Sequence, residues 1–216
     1  MKERPILFSA PMVRAILAGT KTQTRRAVKP HKAFVEWGVK GPGDAYDATV
    51  DDAGQGFFLV AGDHGYAGPV PCPYGQPGDR LWVRECWARD DEDASLMYRA
   101  DVGLGGDADE WERGRLDGVP RYRWRPSIHM PRWASRITLE VTGVRVERLN
   151  DISGPDAAAE GIQFRALGAG VPLKGNIWKQ NIEKFRALWE SINGAGSWDA
   201  NPWVWVVEFK MLRSNA

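Results

Sequence analysis

Little in this 216-residue chain could hold a metal, since it carries only two cysteines and three histidines. Cys72 and Cys86 lie far apart without a C-x-x-C spacing, and His31, His64 and His129 stand isolated from one another. Metal sites need convergent ligands, so neither a metal nor a redox cofactor is expected. Charge of one sign is also lacking. Lysine and arginine number 29 against 28 acidic residues, a formal net charge of +1, which argues against holding a long polyanion by bulk electrostatics and requires any basic character to be local. No apolar run approaches the roughly 18 residues of a membrane span, and "MKERPILFSAPMV" has too short an apolar core for a secretory signal. The chain therefore reads as cytoplasmic, where a structural disulfide is not expected. Also missing are G-x-G-x-x-G after a strand, the Walker pattern and G-x-S-x-G, so the common phosphate cradles and the hydrolase elbow are excluded.

What remains is an ordinary globular composition, 43% hydrophobic, with eleven tryptophans, an unusual number. One domain over residues 1–216 is expected, interrupted by two excursions. Residues 31–76 shift to Gly, Pro and Asp with little periodicity, and residues 101–119 are acidic and glycine-rich, so both read as loop-rich insertions. Around them the patterns are regular. "SAPMVRAILAG" predicts a short helix capped by Ser9, with Pro11 just inside and Gly19 ending it. "RLWVRECWA" alternates as a strand leaving the turn "QPGDR", with "SLMYRA" as its partner, and "ASRITLEVTGVRVERL" predicts one bent strand or two with a bulge at Gly143. "SGPDAAAEGI" predicts a helix of about two turns from the cap Ser153 to Gly161. In "NIWKQNIEKFRALWESING" the residues Trp178, Ile182, Phe185, Trp189 and Ile192 share one face, and "PWVWVVEFKML" alternates as a closing strand. Strands with short helices between them and no βαβ regularity point to an α+β fold, a small and mostly antiparallel barrel.

The chemistry concentrates in "ILAGTKTQTRR", where an amine, hydroxyls and guanidiniums follow a helix. Gly19, Lys21 and Arg26 match a G-x-K-x-x-x-x-R pattern, "QPGDRLWVRECW" a G-D-x-L-x-V strand and "WVWVVEFK" a closing strand, in that order. In these three segments the chain resembles the ASCH (ASC-1 homology) domain family. The resemblance implies a PUA-like small β-barrel with flanking short helices, associated with RNA or modified nucleosides. At the G-x-K-x-x-T-x-R motif it resembles the bacterial N4-acetylcytidine amidohydrolases, which use a lysine, a threonine and a glutamate. Lys21 and Thr24 stand where that K-x-x-T pair stands. Glu160, in the short helix "DAAAEGI" before the last helix and strand, is carried over as the glutamate, with Glu85 after "GDRL" as its rival. A threonine attacks only when a neighbouring base takes its proton, and a lysine can do so only if burial or nearby positive charge lowers its pKa. Arg25 and Arg26 could supply that charge, and Arg26 could orient a carboxylate or phosphate. An RNA-binding module without catalysis, or a ribonuclease, are the alternatives the same resemblance allows.

A second concentration is "RYRWRPSIHMPRWASR", residues 121–136, which mixes five arginines with tryptophans, a tyrosine and His129. Cations for phosphate and rings for bases are what single-stranded nucleic-acid binders use. Arg125, His129 and Trp133 are accordingly candidates for a second wall of the binding cleft, with Arg25, Arg26 and Glu85 lining the first. A strand edge with tryptophans in the core is the plainer reading of the same segment.

Overall fold

The structure is a computed structural model that describes residues 1–29, 46–50, 57–61, 66–69, 71–90, 94–102, 123–162 and 176–212. In chain order its elements are β1 (Glu3–Leu7), α1 (Ala10–Leu17), β2 (Gln23–Ala27), β3 (Tyr46–Val50), β4 (Phe57–Ala61), β5 (Tyr66–Pro69), β6 (Arg80–Arg84), β7 (Trp87–Arg89), β8 (Leu96–Tyr98), β9 (Thr138–Arg148), α2 (Gly154–Ala159), α3 (Asn176–Asn193) and β10 (Trp203–Leu212). Five strands form one sheet in the order β1-β6-β9-β10-β2. The fold is thus α+β, as expected. The expected antiparallel arrangement needs correction at one end, because β1 runs parallel to β6. The short strand "ERPIL" carries no alternation long enough to announce itself, and its partner β6 lies far along the chain.

Two compact units divide the chain, the first made of Met1–Gly19, Gly78–Glu140 and Lys210–Ala216, the second of Thr20–Pro77 and Val141–Phe209. In the first unit, the "GD" of "QPGDR" has a physical explanation. Gly78 sits at φ +88°, where a side chain is strained. The Asp79 carboxylate then accepts the Lys2 backbone N–H at 2.6 Å and the Arg4 guanidinium at 2.8 Å, which ties β1 to the start of β6. The predicted strand from Arg80 to Ala88 is two strands. It breaks at Glu85, whose N–H turns to the Met130 sulfur, and β7 then pairs with β8 as the hairpin partner expected for "SLMYRA". Trp87, Met130 and Ala134 make a buried apolar cluster at this break.

In the second unit, β2 runs antiparallel to β10 with Thr24 opposite Val207 and Arg26 opposite Trp205. β10 is buried on both faces from Val204 to Val207. Leu149, Ala157, Phe185, Trp189, Trp198 and Val206 pack into one core, with Phe185 edge-on to Trp198 at 6.2 Å. The helix face predicted for α3 holds as far as Trp189, but Ile192 is 56% exposed, because only Asn193 follows it in the helix and the last turn leaves the core. Gly143 lies within the unbroken strand β9. A Cβ there would come within 2.7 Å of the Glu208 carboxylate, a flexible side-chain end that could move aside. The segment read as a loop-rich insertion contains three antiparallel strands, β3, β4 and β5. The loop reading failed because the short runs "YDATV" and "FFLVA" were outweighed by the glycines around them. The acidic stretch of the second insertion, and residues 121–122 of the arginine-rich segment, lie outside the described residues.

Candidate functional site

Past α1 the chain reverses at Gly19, φ +71°, and then pairs with the end of α2. Lys21 forms a bridge with Glu160, and the Thr22 N–H donates to the Ala159 carbonyl at 2.9 Å. α2 itself begins as its sequence predicts, with the Ser153 hydroxyl accepting the Asp156 N–H and Pro155 in the first turn. Glu160 is its C-cap, and Gly161 follows at φ +87°. The last carbonyls of a helix need donors. Lys21 supplies one: its ammonium donates to the Glu160 carbonyl oxygen and to Glu160 Oε2, each at 2.8 Å. The lysine side chain is wholly buried and that of Glu160 is 4% exposed.

Around this pair the strand β2 contributes every second residue. Gln23 Nε2 donates to the Asp156 carbonyl at 2.9 Å, and Arg25 Nη1 donates to Glu160 Oε1 at 3.2 Å. Arg25 also grips Glu147 of β9, through Nε at 3.0 Å and through Nη2, and lies 3.5 Å from the Asp156 carboxylate. Arg145 closes the network by donating to Glu147 Oε2 at 3.2 Å and Asp156 Oδ1 at 3.1 Å and by pairing with Glu208. The pleat of a strand alternates faces. Gln23 and Arg25 therefore point toward α2, while Thr24, itself buried, lies on the other face of β2.

Burial makes the charged form of Lys21 costly and lowers its pKa below the ordinary 10.5; Glu160 opposes the shift, and the Arg26 and Arg25 charges add to it. For Asp156, burial resists ionisation, but the Ser153 hydroxyl, Arg25 and Arg145 outweigh it and hold the carboxyl below its usual value. The site thus sets a lysine amine whose charged form burial disfavours directly against a buried carboxylate.

Of the residues singled out from the sequence, Lys21, Arg25 and Glu160 are brought together here. Arg25 donates to Glu160 Oε1, and Arg26 lies on β2 opposite Trp205. Glu85 belongs to the first unit, where Arg136 holds both its oxygens at 3.0 and 3.2 Å. Arg125, His129 and Trp133 also lie in the first unit, all exposed. Sequence reasoning missed Glu147, Asp156, Arg145 and Gln23. Nothing local distinguishes a charged strand or helix residue that meets a buried partner from one that faces water, so they carried no signal of their own. Among the described residues no group of three His, Cys, Asp or Glu is placed to hold a metal, Cys72 and Cys86 form no disulfide, and no helix is long and apolar enough to cross a membrane.

No family model matches the sequence, and no curated protein matches it. Among solved structures the chain is similar to the ASCH domain from Lactobacillus crispatus JV V101, with 15% sequence identity over 97% of this chain and 79% of that one and a TM-score of 0.36. A likeness this loose carries no conclusion about fold or chemistry, which rest on the residues described above.

Proposed function

We propose that the chain is a cytoplasmic, PUA-like ASCH protein, one β-barrel domain in which the Lys21 cluster hydrolyses the amide of an N4-acylated cytosine, cytidine or close relative without a metal. The observation that carries this reading is the buried contact between Lys21 and Glu160 on a G-x-K-x-x-T-x-R motif. A lysine whose charged form is disfavoured by burial can act as a base, and its partner carboxyl can hold the proton. In the first step the threonine oxygen attacks the acyl carbon, and its proton passes to the Lys21 amine. The C–N bond then breaks as Glu160, protonated, delivers a proton to the departing cytosine amine. Water completes the cycle by attacking the acyl ester, giving the free acid and restoring Thr24, and the proton held by Lys21 passes back to Glu160 across the contact between them.

The role of Thr24 rests on its spacing from Lys21. Its place on the opposite face of β2 from Arg25 favours a second version of the same chemistry, in which water activated by the Lys21–Glu160 pair attacks the amide directly. An RNA-binding module without catalysis is the remaining reading, favoured by the fact that Lys21 also satisfies the end of α2, a purely structural task.

The test is incubation of the purified protein with N4-acetylcytidine, with chromatography for cytidine. Turnover that is lost in Lys21→Met, Lys21→Arg and Glu160→Gln supports the hydrolase. Arginine keeps the charge but cannot serve as a base near neutral pH, so an active Lys21→Arg variant would reduce the lysine to a structural residue. Loss of turnover in Thr24→Ala with partial activity in Thr24→Ser assigns the nucleophile to Thr24, whereas full activity in Thr24→Ala assigns it to water. Absence of cytidine with the wild-type protein overturns the substrate assignment.

A further inference from the structure

Attack on an amide puts negative charge on the acyl oxygen, and that charge needs donors aimed at it. The α2 face of β2 cannot supply them. There the Arg25 guanidinium is already engaged by Glu147, Asp156 and Glu160, and Lys21 donates to the last of these. Three converging carboxylates would repel a further anion.

The opposite face of β2 is different in kind. Side chains two apart along a strand share a face at a spacing of about 7 Å, so β2 sets Arg26 beside Thr24. Arg26 pairs in register with Trp205 and Thr24 with Val207, and directly opposed residues also share a face. A hydroxyl and a half-buried guanidinium therefore stand beside two buried apolar side chains of β10. In such surroundings a donor meets a developing charge with little competition from water.

A tight turn of the same unit supplies a second donor. The Gly75 N–H donates to the Cys72 carbonyl at 3.2 Å and Gly75 takes φ +105°, which holds the half-buried Tyr74 inside the turn Cys72–Gly75. Burial raises the Tyr74 pKa above its usual value, with Arg26 opposing and Cys72 adding to the shift. The phenol accordingly keeps its proton near neutral pH and can donate it to a hydrogen bond. The Arg26 charge acts on Lys21 as well. One guanidinium thus lies within electrostatic reach of both the amine and the phenol.

We propose that Arg26 and Tyr74 are the two donors that hold the acyl oxygen during attack, an inference that rests on the hydrolase reading. As the Thr24 oxygen bonds to the acyl carbon and its proton passes to Lys21, the π electrons of the C=O bond move onto its oxygen. That oxygen accepts an Arg26 N–H and the Tyr74 O–H without taking either proton. The electrons return to re-form the C=O bond as the C–N bond breaks. Because the charge they meet exists only as the bond forms, the two donors act on kcat more than on KM.

The test combines kinetics on N4-acetylcytidine with a titration of the phenol. Arg26→Met should lower kcat roughly 10²–10³-fold with KM changed no more than about a few-fold, and Tyr74→Phe should lower kcat roughly tenfold. Arg26→Lys should recover part of the rate, since it keeps the charge without the planar fork. In near-ultraviolet difference absorbance, the tyrosine step missing from Tyr74→Phe identifies the Tyr74 titration, and Arg26→Met should move that step to higher pH. Should Arg26→Met fail to fold, Tyr74→Phe decides the matter, because it removes one oxygen from a half-buried side chain. Unchanged kcat in the folded variants of an active protein would overturn the proposal and leave the hydrolase reading standing. A Tyr74 titration indifferent to Arg26→Met would overturn it too. A wild-type protein that releases no cytidine would overturn the hydrolase reading and this assignment together.

Discussion

Two arginines sit at the centre of ionic clusters in the two units, and their surroundings differ in one decisive way. Arg25 is wholly buried among Glu147, Asp156 and Glu160, and a lysine shares its last carboxylate. Arg136 is 27% exposed on its side chain and bridges the buried Glu85 to the exposed Asp101, with its guanidinium 4.0 Å over the Tyr98 ring. Both clusters satisfy buried carboxylates. Only the Arg25 cluster contains a cation that can give up its proton, because a guanidinium stays charged at any pH a protein survives. The comparison teaches that a buried ion network is structural by default and gains chemical potential where a lysine is placed inside it.

The largest effect expected from breaking this comparison is at Arg25. Arg25→Met would leave three converging carboxylates with Lys21 and Arg145 alone, and removing one member of a buried charge network costs about 3–5 kcal/mol. Urea denaturation would measure it. Arg136→Met should cost less, about 1–3 kcal/mol, because Glu85 can escape by taking a proton and Asp101 is already in water. If the two variants lost equal stability, burial would not be what distinguishes the clusters.

A second expected loss comes from packing near the site. A methyl group at Gly154 would lie 2.3 Å from Trp178 Cβ and 2.9 Å from its Cα, which the backbone of α3 cannot easily yield. Gly154→Ala should therefore cost about 1–3 kcal/mol, read from the thermal midpoint.

The clusters should also respond to pH in opposite directions. Burial raises the pKa of Glu85 above 4.5, with Arg136 opposing. Its folded state then binds more protons than the unfolded state above pH 4.5, so stability falls as pH rises through its folded value. Lys21 is the reverse. With its folded value below 10.5, the folded state binds fewer protons in that window, and stability rises as pH climbs toward 10.5. Stability measured across pH should lose the acid-side fall in Glu85→Gln and the alkaline rise in Lys21→Met. An unchanged alkaline limb in Lys21→Met would show that the lysine keeps its ordinary affinity for protons. The smallest effect is expected at the exposed Arg186–Asp199 pair, 3.2 Å apart, where Asp199→Ala should change stability by less than about 0.5 kcal/mol.

Much of the fold was legible because its signals are local. Ser153 capping α2, the apolar face of α3 and the alternation of β10 each depend on residues a few positions apart. The same is true of the turn at Gly78 and Asp79. Three things were not legible. The parallel pairing of β1 depends on a strand far along the chain, β3 to β5 were hidden by glycine-rich surroundings, and the break at Glu85 follows from its contact with Met130. At the site, the family resemblance singled out Lys21 and Glu160, with Glu85 as rival, yet nothing local says that residues 139 positions apart share a hydrogen bond. The same resemblance joined Lys21 to Thr24, and the pleat of β2 set the two on different footings.

The sequence by itself determined the elements, because capping, periodicity and turn chemistry act over a few residues and carry their own energetic signature. It also determined which residue types were available: one lysine among threonines and arginines, few metal ligands, and a charge balanced overall. Only the tertiary structure decided that Arg25 rather than Arg26 reaches Glu160, that Glu147 and Asp156 join them, and that Trp133 stays exposed while Trp87 is buried beneath it. The reason is physical. A charge's behaviour depends on the dielectric and the partners around it, and a ring's availability depends on what covers it. Both are set by distant segments folding against one another.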